Sequence, residues 1–377
     1  MRVLIAPDSF KGSLSSIEVA NAMANGVKAA NLENETIIIP MADGGEGTVE
    51  ALVSATNGKM IPKEVSGPLG ESMVASFGIL GDGVTGVVEV AAASGLALIP
   101  EKDRNPMITS SYGTGQLIQA ALDEGCKRLI IGLGGSATND GGMGIARALG
   151  VKFFDDDGLS LIGRGRDLLR VSRIDVKNLD PRLKEIEIII ACDVTNPFCG
   201  PKGAAAIFAP QKGANPEMVK QLDQGLNRFA AVMKKELGKD VREIPGAGAA
   251  GGIGGGLMAL LNPSFRPGIE LVMELTNLPQ LIEEWDLVLT GEGRTDEQTL
   301  FGKVPQGLGL VAKDKGKPVL VISGSIDYRS YGLLEHGITA IFSVVPGPTS
   351  LENAMAEAET NISFTTEMVM RTFRQGQ

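Results

Sequence analysis

Met1-Arg2-Val3-Leu4-Ile5-Ala6-Pro7-Asp8-Ser9-Phe10-Lys11-Gly12-Ser13 sets a pattern that the rest of the chain repeats. The apolar run over residues 2–6 reads as a strand, and it stops abruptly at Asp8, Ser9 and Lys11. Residues 15–30 then read as a helix with Val19, Met23 and Val27 on one face, opened by a capping box between Ser15 and Glu18. Residues 36–40 give a second strand, followed by a helix over 47–56 that Gly58 ends. Strand-like runs recur at 128–132, 186–191, 286–290, 318–323 and 340–345. Val- and Ile-rich runs bounded by glycine, alternating with helices, predict buried parallel strands in βαβ units.

One region breaks this rhythm. Residues 72–80 and 84–90 flank Gly81-Asp82-Gly83, which reads as a hairpin turn between antiparallel strands. Residues 204–209 read as another strand of that region. After Asn215-Pro216-Glu217 a long helix carries Val219, Leu222, Leu226, Phe229, Met233 and Leu237 on one stripe, with an N-cap and a proline at its first position. The expected fold is therefore α/β with two domains. A doubly wound parallel-sheet domain uses both chain ends (1–62 plus 283–377), and a mixed α/β domain (63–282) is inserted in it. A length of 377 residues agrees with more than one core.

Composition narrows the function. The 50 glycines run well above the usual ~7% and cluster just after apolar runs, where they permit tight turns and close approach to a ligand. A net charge of −10 argues against nucleic acid or an anionic membrane as partner, since basic patches hold both. It also demands local groups that overcome a repulsive field if the substrates are anions. Cys126, Cys192 and Cys199 are too few for a disulfide framework and suit a reducing compartment. The apolar run at the N-terminus is too short for an export signal, and no stretch reaches the length of a membrane span. The expected location is the cytoplasm.

The informative feature is positional. The run at 2–6 leads into Asp8, Ser9 and Lys11, and the second strand into Asp43-Gly44-Gly45-Glu46. The run at 128–132 leads into Gly134-Gly135-Ser136-Ala137-Thr138-Asn139-Asp140. Residues 186–191 lead into Cys192-Asp193, and 286–290 into Gly291-Glu292-Gly293-Arg294-Thr295-Asp296. In open α/β sheets ligands bind outside the carboxyl ends of strands. Each segment alone also reads as an ordinary helix cap or turn, as Asp43 with Glu46 does. Five of them on the same side of their strands favour a shared site.

Several chemistries drop out. Gly246-Ala247-Gly248-Ala249-Ala250-Gly251 matches G-x-G-x-x-G, but no clean strand leads into it, so a phosphate-contacting or closely packed backbone is the better reading. The P-loop signature is absent. The single histidine, His336, sits at the end of a short helical segment, away from the strand-end clusters, so a histidine-based triad is disfavoured. What converges is a set of carboxylates, a lysine, an arginine and many backbone N–H groups. Phosphoryl transfer needs that mixture, because its catalysis is mostly positioning and charge stabilisation.

Residues 6–14, 42–48, 134–142, 193–203, 246–252 and 290–299, with Gly302-Lys303, together resemble the signature segments of the type I glycerate kinases. The resemblance spreads from residue 3 to about 350. It implies ATP-dependent phosphorylation of D-glycerate, at the 2-position with the 3-position not excluded, Mg²⁺ as cofactor, and a site in the cleft between two α/β domains. On that footing Asp193 is the first candidate for the base that orients the acceptor hydroxyl, and Asp296 the next. Asp8, Ser9 and Asp43 are candidates for substrate, and Asp43 and Glu292 for metal. Lys11 and Arg294 would clamp the glycerate carboxylate or the γ-phosphate. Gly134, Gly135, Ser136, Thr138, Asn139 and Asp140, with Gly248, Gly251 and Gly252, would cradle the nucleotide. Two rival readings are a kinase of the galactose/homoserine/mevalonate type, from the likeness of residues 132–137 to its phosphate loop, and a sugar-acid binding protein without chemistry.

Overall fold

A computed structural model describes residues 1–42, 44–45 and 47–375. The chain divides into two compact units. One comprises Met1–Asp43, Glu50–Asn57 and Pro267–Gln377, the other Gly44–Val49 and Gly58–Arg266.

The unit built from the chain ends holds a five-stranded, all-parallel sheet. Its spatial order is Ala340–Ser343, Val319–Ser323, Leu287–Glu292, Arg2–Ile5, Glu35–Ile38. Successive strands here are joined by crossovers, which right-handedness restricts to one face for each direction of travel. The chain moves outward one way from Arg2–Ile5 and the other way from Leu287–Glu292. Helices therefore cover both faces. Val3 and Ile5, with Leu287, Leu289, Leu320 and Ile322, alternate onto the face covered by Val19, Met23 and Val27 of one helix and Ile362 and Met370 of another. Leu4, Val288, Val319 and Val321 point the other way and are equally buried. Each such side chain contributes roughly 1.5–3 kcal/mol on leaving water. The Ser15 cap of the Ser16–Ala30 helix forms as the spacing predicts, with the Glu18 backbone N–H donating to the Ser15 hydroxyl and the Ser15 N–H to the Glu18 carboxylate.

The second unit is built on a mixed six-stranded sheet. Ser264–Arg266, Glu187–Ala191, Arg128–Gly132 and Thr85–Glu89 lie parallel in that order, and Ser72–Ile79 and Lys59–Ser66 extend it antiparallel. The Gly81-Asp82-Gly83 turn joins antiparallel strands as expected. Its tightness comes from Asp82, whose carboxylate accepts the Val84 and Thr85 N–H groups and the Thr85 hydroxyl. A second core gathers around Phe153, Phe198 and Phe229, under the long Pro216–Leu237 helix.

Several features differ from expectation, among them the strands Lys59–Ser66 and Ser264–Arg266, which were not anticipated. Ala204–Phe208 is a helix, not a strand. Three consecutive alanines carry strong helix propensity, and the short apolar run does not by itself distinguish the two states. A small antiparallel sheet of Lys152–Phe154, Ser160–Leu161 and Arg173–Asp175 was not anticipated, because strands of two or three residues leave no readable period. Among the described residues no helix is long and apolar enough to cross a membrane.

Candidate active site

In the first unit the sheet order reverses between Arg2–Ile5 and Leu287–Glu292, the switch point where flanking loops splay apart and leave room for a ligand. The two loops that leave there carry the residues singled out above. The Asp8 N–H donates to the Gly291 carbonyl at 2.8 Å, tying one loop to the end of the other strand. Gly293 lies so close to the backbone of Phe10 and Lys11 that a β-carbon would stand 3.2 Å from the Phe10 Cα. Asp8 also accepts the Ser9 N–H at 2.7 Å. The Lys11 side chain is exposed on a tight turn in which Phe10 and Leu14 exchange both backbone hydrogen bonds.

The second loop is braced from beneath. Glu292 is buried; it accepts the Thr299 hydroxyl at 2.7 Å and lies 3.4 Å from the Lys303 ammonium. Burial pushes its carboxyl above the usual range, and the bonds from Thr299 and Lys303 pull it back. The Asp296 N–H donates to the Thr299 hydroxyl oxygen, and one Asp296 oxygen caps the following turn by accepting the Gln298 N–H. The other oxygen pairs with Arg294 at 3.2 Å. Glu292 thus acts as an anchor for the loop, and Arg294 and Asp296 are its more accessible charges. Asp43, expected as a substrate or metal ligand, lies outside the described residues, as does Glu46.

In the second unit the parallel strands Thr85–Glu89, Arg128–Gly132 and Glu187–Ala191 end level with one another, Gly132 standing opposite both Glu89 and Ala191. Asp193 leaves the last of them and is exposed. The 134–140 loop leaves the middle one. Gly135 is exposed and Gly134 half-buried, its N–H donating to the Gly44 carbonyl at 3.4 Å, whereas Thr138, Asn139 and Asp140 are fully buried. Asp140 accepts four hydrogen bonds, from the N–H groups of Ser111, Gly142 and Gly144 and from the Ser111 hydroxyl. Burial raises its pKa against them. Asp140 therefore shapes the loop from inside and offers no carboxylate outward. The glycine segment at 246–252 packs on the same loop. Gly141 donates to the Gly251 carbonyl, and Gly248 to that of Asn196.

The reading of 246–252 as closely approaching backbone has a specific basis at Gly251, whose φ is +71° and whose β-carbon would stand 2.0 Å from the Thr138 carbonyl oxygen. Gly251→Ala is expected to lower stability by about 1–3 kcal/mol, from left-handed strain compounded by that collision. A denaturant midpoint equal to wild type would contradict this close packing.

Residues 3–374 match the glycerate kinase family. The chain belongs to that family. It is 47% identical to a glycerate kinase of Haemophilus influenzae, covering 98% of each chain. It is 50% identical to one of Bacillus subtilis, over 95% of this chain and 94% of the other. The Escherichia coli relative, named glycerate 2-kinase, is 49% identical over 96% and 95% of the two chains. A crystal structure from Salmonella typhimurium LT2, provisionally described as glycerate kinase 2, superposes with a TM-score of 0.89 at 46% identity, covering 100% of this chain and 99% of that one. The protein is accordingly a kinase with two α/β units.

Within this glycerate kinase family member, two residues of structural weight escaped the sequence reading. Glu89 ends its strand buried and accepts the backbone N–H groups of Gly47 and Val49, so it holds the start of the Thr48–Ala55 helix. A carboxylate closing the run Val87-Val88-Glu89 was a readable signal of the same kind as the other five. Lys212 was not readable. It stands in a turn that looks solvent-facing, yet it is buried.

Proposed function

We propose that this kinase transfers the γ-phosphoryl group of ATP to the 2-hydroxyl of D-glycerate, giving 2-phosphoglycerate and ADP. The observation that carries the reading is the high identity over nearly the whole chain to the relative named glycerate 2-kinase. Loop chemistry at the strand ends supports it. Asp193 would accept the proton as the glycerate oxygen forms its bond to the γ-phosphorus, while the bond to the β-phosphate oxygen breaks and ADP leaves. Lys11 and Arg294 would meet the carboxylate or the γ-phosphate, arginine being the group suited to bidentate pairing. The exposed backbone at Gly135 would meet the remaining phosphate oxygens, while the 248–252 segment, largely buried and with the Gly248 and Gly252 N–H groups donating within the protein, would support that loop from behind.

The fit to Mg²⁺ is partial. Among the described residues no cluster of three or more potential ligands could hold a metal ion. Glu292 has both oxygens engaged by Thr299 and Lys303, which suits an anchor better than a metal ligand. The ion is therefore read as entering with the nucleotide, as part of the substrate MgATP.

Phosphorus NMR of the product, made from protein, MgATP and D-glycerate, tests this. A phosphate on the 2-oxygen couples to one methine proton and gives a doublet. A triplet from two methylene protons would assign the 3-phosphate instead, and absence of any phosphoglycerate would reject the substrate.

A further inference from the structure

Lys212 follows the Ala204–Phe208 helix in a short turn and sends its side chain into the protein, where 2% of the residue remains accessible. Its ammonium donates to the Ser136 hydroxyl oxygen at 2.7 Å and to the Thr138 carbonyl at 2.6 Å. Both acceptors belong to the 134–140 loop, some seventy-five positions earlier in the chain.

A buried ammonium is costly, and an apolar side chain of similar length would fill the same space more cheaply. What the ammonium adds is direction. The 138–139 peptide is trans, so fixing the Thr138 carbonyl toward Lys212 turns the Asn139 N–H the opposite way. The Ser136 hydroxyl is held from the same atom. Elsewhere in the loop, the Gly135 carbonyl accepts the Leu96 N–H, and Ala137 donates to the Ser94 carbonyl. Beside the well-bonded Asp140, the Thr138 hydroxyl and both polar atoms of the Asn139 carboxamide are buried without partners. Burial pushes the Lys212 pKa down to about 7, with Asp140 acting in the opposite sense.

We propose that Lys212 is a positioning residue for the nucleotide: its side-chain nitrogen, sealed beneath the 134–140 loop, holds that loop in its phosphate-receiving form through Ser136 and Thr138. This rests on the reading of 134–140 as the seat of the nucleotide phosphates. Lys212 therefore acts on the nucleotide through the loop that it holds, without touching it.

The experiment is steady-state kinetics with MgATP and D-glycerate for Lys212→Met, Lys212→Gln and Gly135→Ala, with thermal unfolding of each. Lys212→Met is expected to raise KM for ATP at least tenfold while KM for glycerate stays within twofold. Lys212→Gln, which keeps donors but no charge, is expected to fall between Met and wild type. Gly135→Ala probes the underlying reading, since Gly135 has a φ of +70° and any side chain there strains the exposed part of the loop. If Gly135→Ala raises the ATP KM and Lys212→Met does not, the proposal for Lys212 is wrong and the loop reading stands. If neither changes it, both fall. Equal rises in the two KM values would reduce Lys212 to a structural role and overturn the proposal. Should the Met variant fail to fold, Ser136→Ala removes one acceptor without emptying the site. It is expected to raise the ATP KM two- to threefold and leave that for glycerate unchanged, and no change would count against the proposal.

Discussion

Asp193→Asn is expected to lower kcat for glycerate phosphorylation by about 10³-fold, equivalent to about 4 kcal/mol of transition-state stabilisation. Asparagine keeps the shape of the side chain and still accepts a hydrogen bond, but it does not take up the proton of the attacking hydroxyl. The choice of Asp193 rests on its exposure and its place just past a strand end, against the more enclosed settings of three other carboxylates. Asp140 is fully buried and accepts four hydrogen bonds. Glu292 is buried against Thr299 and Lys303. Asp296 spends one oxygen on a turn and the other on Arg294. Asp193 is exposed, directly beyond a strand whose end is level with the glycine loop. A rate within a few-fold of wild type would remove Asp193 from this role and pass it to Asp296.

The strands were legible because burial on both faces forces uninterrupted Val, Ile and Leu. Arg128–Gly132 falls where the sequence puts it, and the other strands that were read from the sequence differ by a residue or two at their ends, whereas Lys59–Ser66 and Ser264–Arg266 were missed. Loop positions followed from strand ends, since parallel strands that ride in one sheet must release their loops on one side. Side-chain direction within those loops was not legible. Nothing in Thr138-Asn139-Asp140 states that all three turn inward, because that depends on Ser111 and on the 246–252 backbone arriving from far along the chain. Lys212 fails for the same reason. Its local neighbours Gln211 and Gly213 are exposed, and only contact with a distant loop makes it a buried group. Asp296 shows a third limit. Its sequence context fits both a cap and a reactive carboxylate, and in the structure it caps.

Lys11→Met is expected to reduce kcat/KM for glycerate by about 10²–10³-fold while leaving thermal stability unchanged. The magnitude is that of one well-aimed charged donor lost from a phosphoryl-transfer site, about 3–4 kcal/mol. Stability should not move because the side chain is exposed and methionine matches its length. The geometry gives the ammonium a fixed base. Phe10 and Leu14 close the turn at 2.9 and 3.0 Å, and the Ser13 hydroxyl donates to the Met355 carbonyl at 2.9 Å. A cation held there acts locally, which matters in a chain of net charge −10, because salt screens the repulsive background over about 8–10 Å but weakens a direct contact far less. The kinetic split identifies the partner. A loss confined to the glycerate KM would assign Lys11 to the substrate carboxylate, and a loss in kcat to the transferring phosphoryl group. Lys11→Arg should recover part of the activity in either case, since it restores the charge at a similar reach. An unchanged kcat/KM in Lys11→Met would take Lys11 and its turn out of the site.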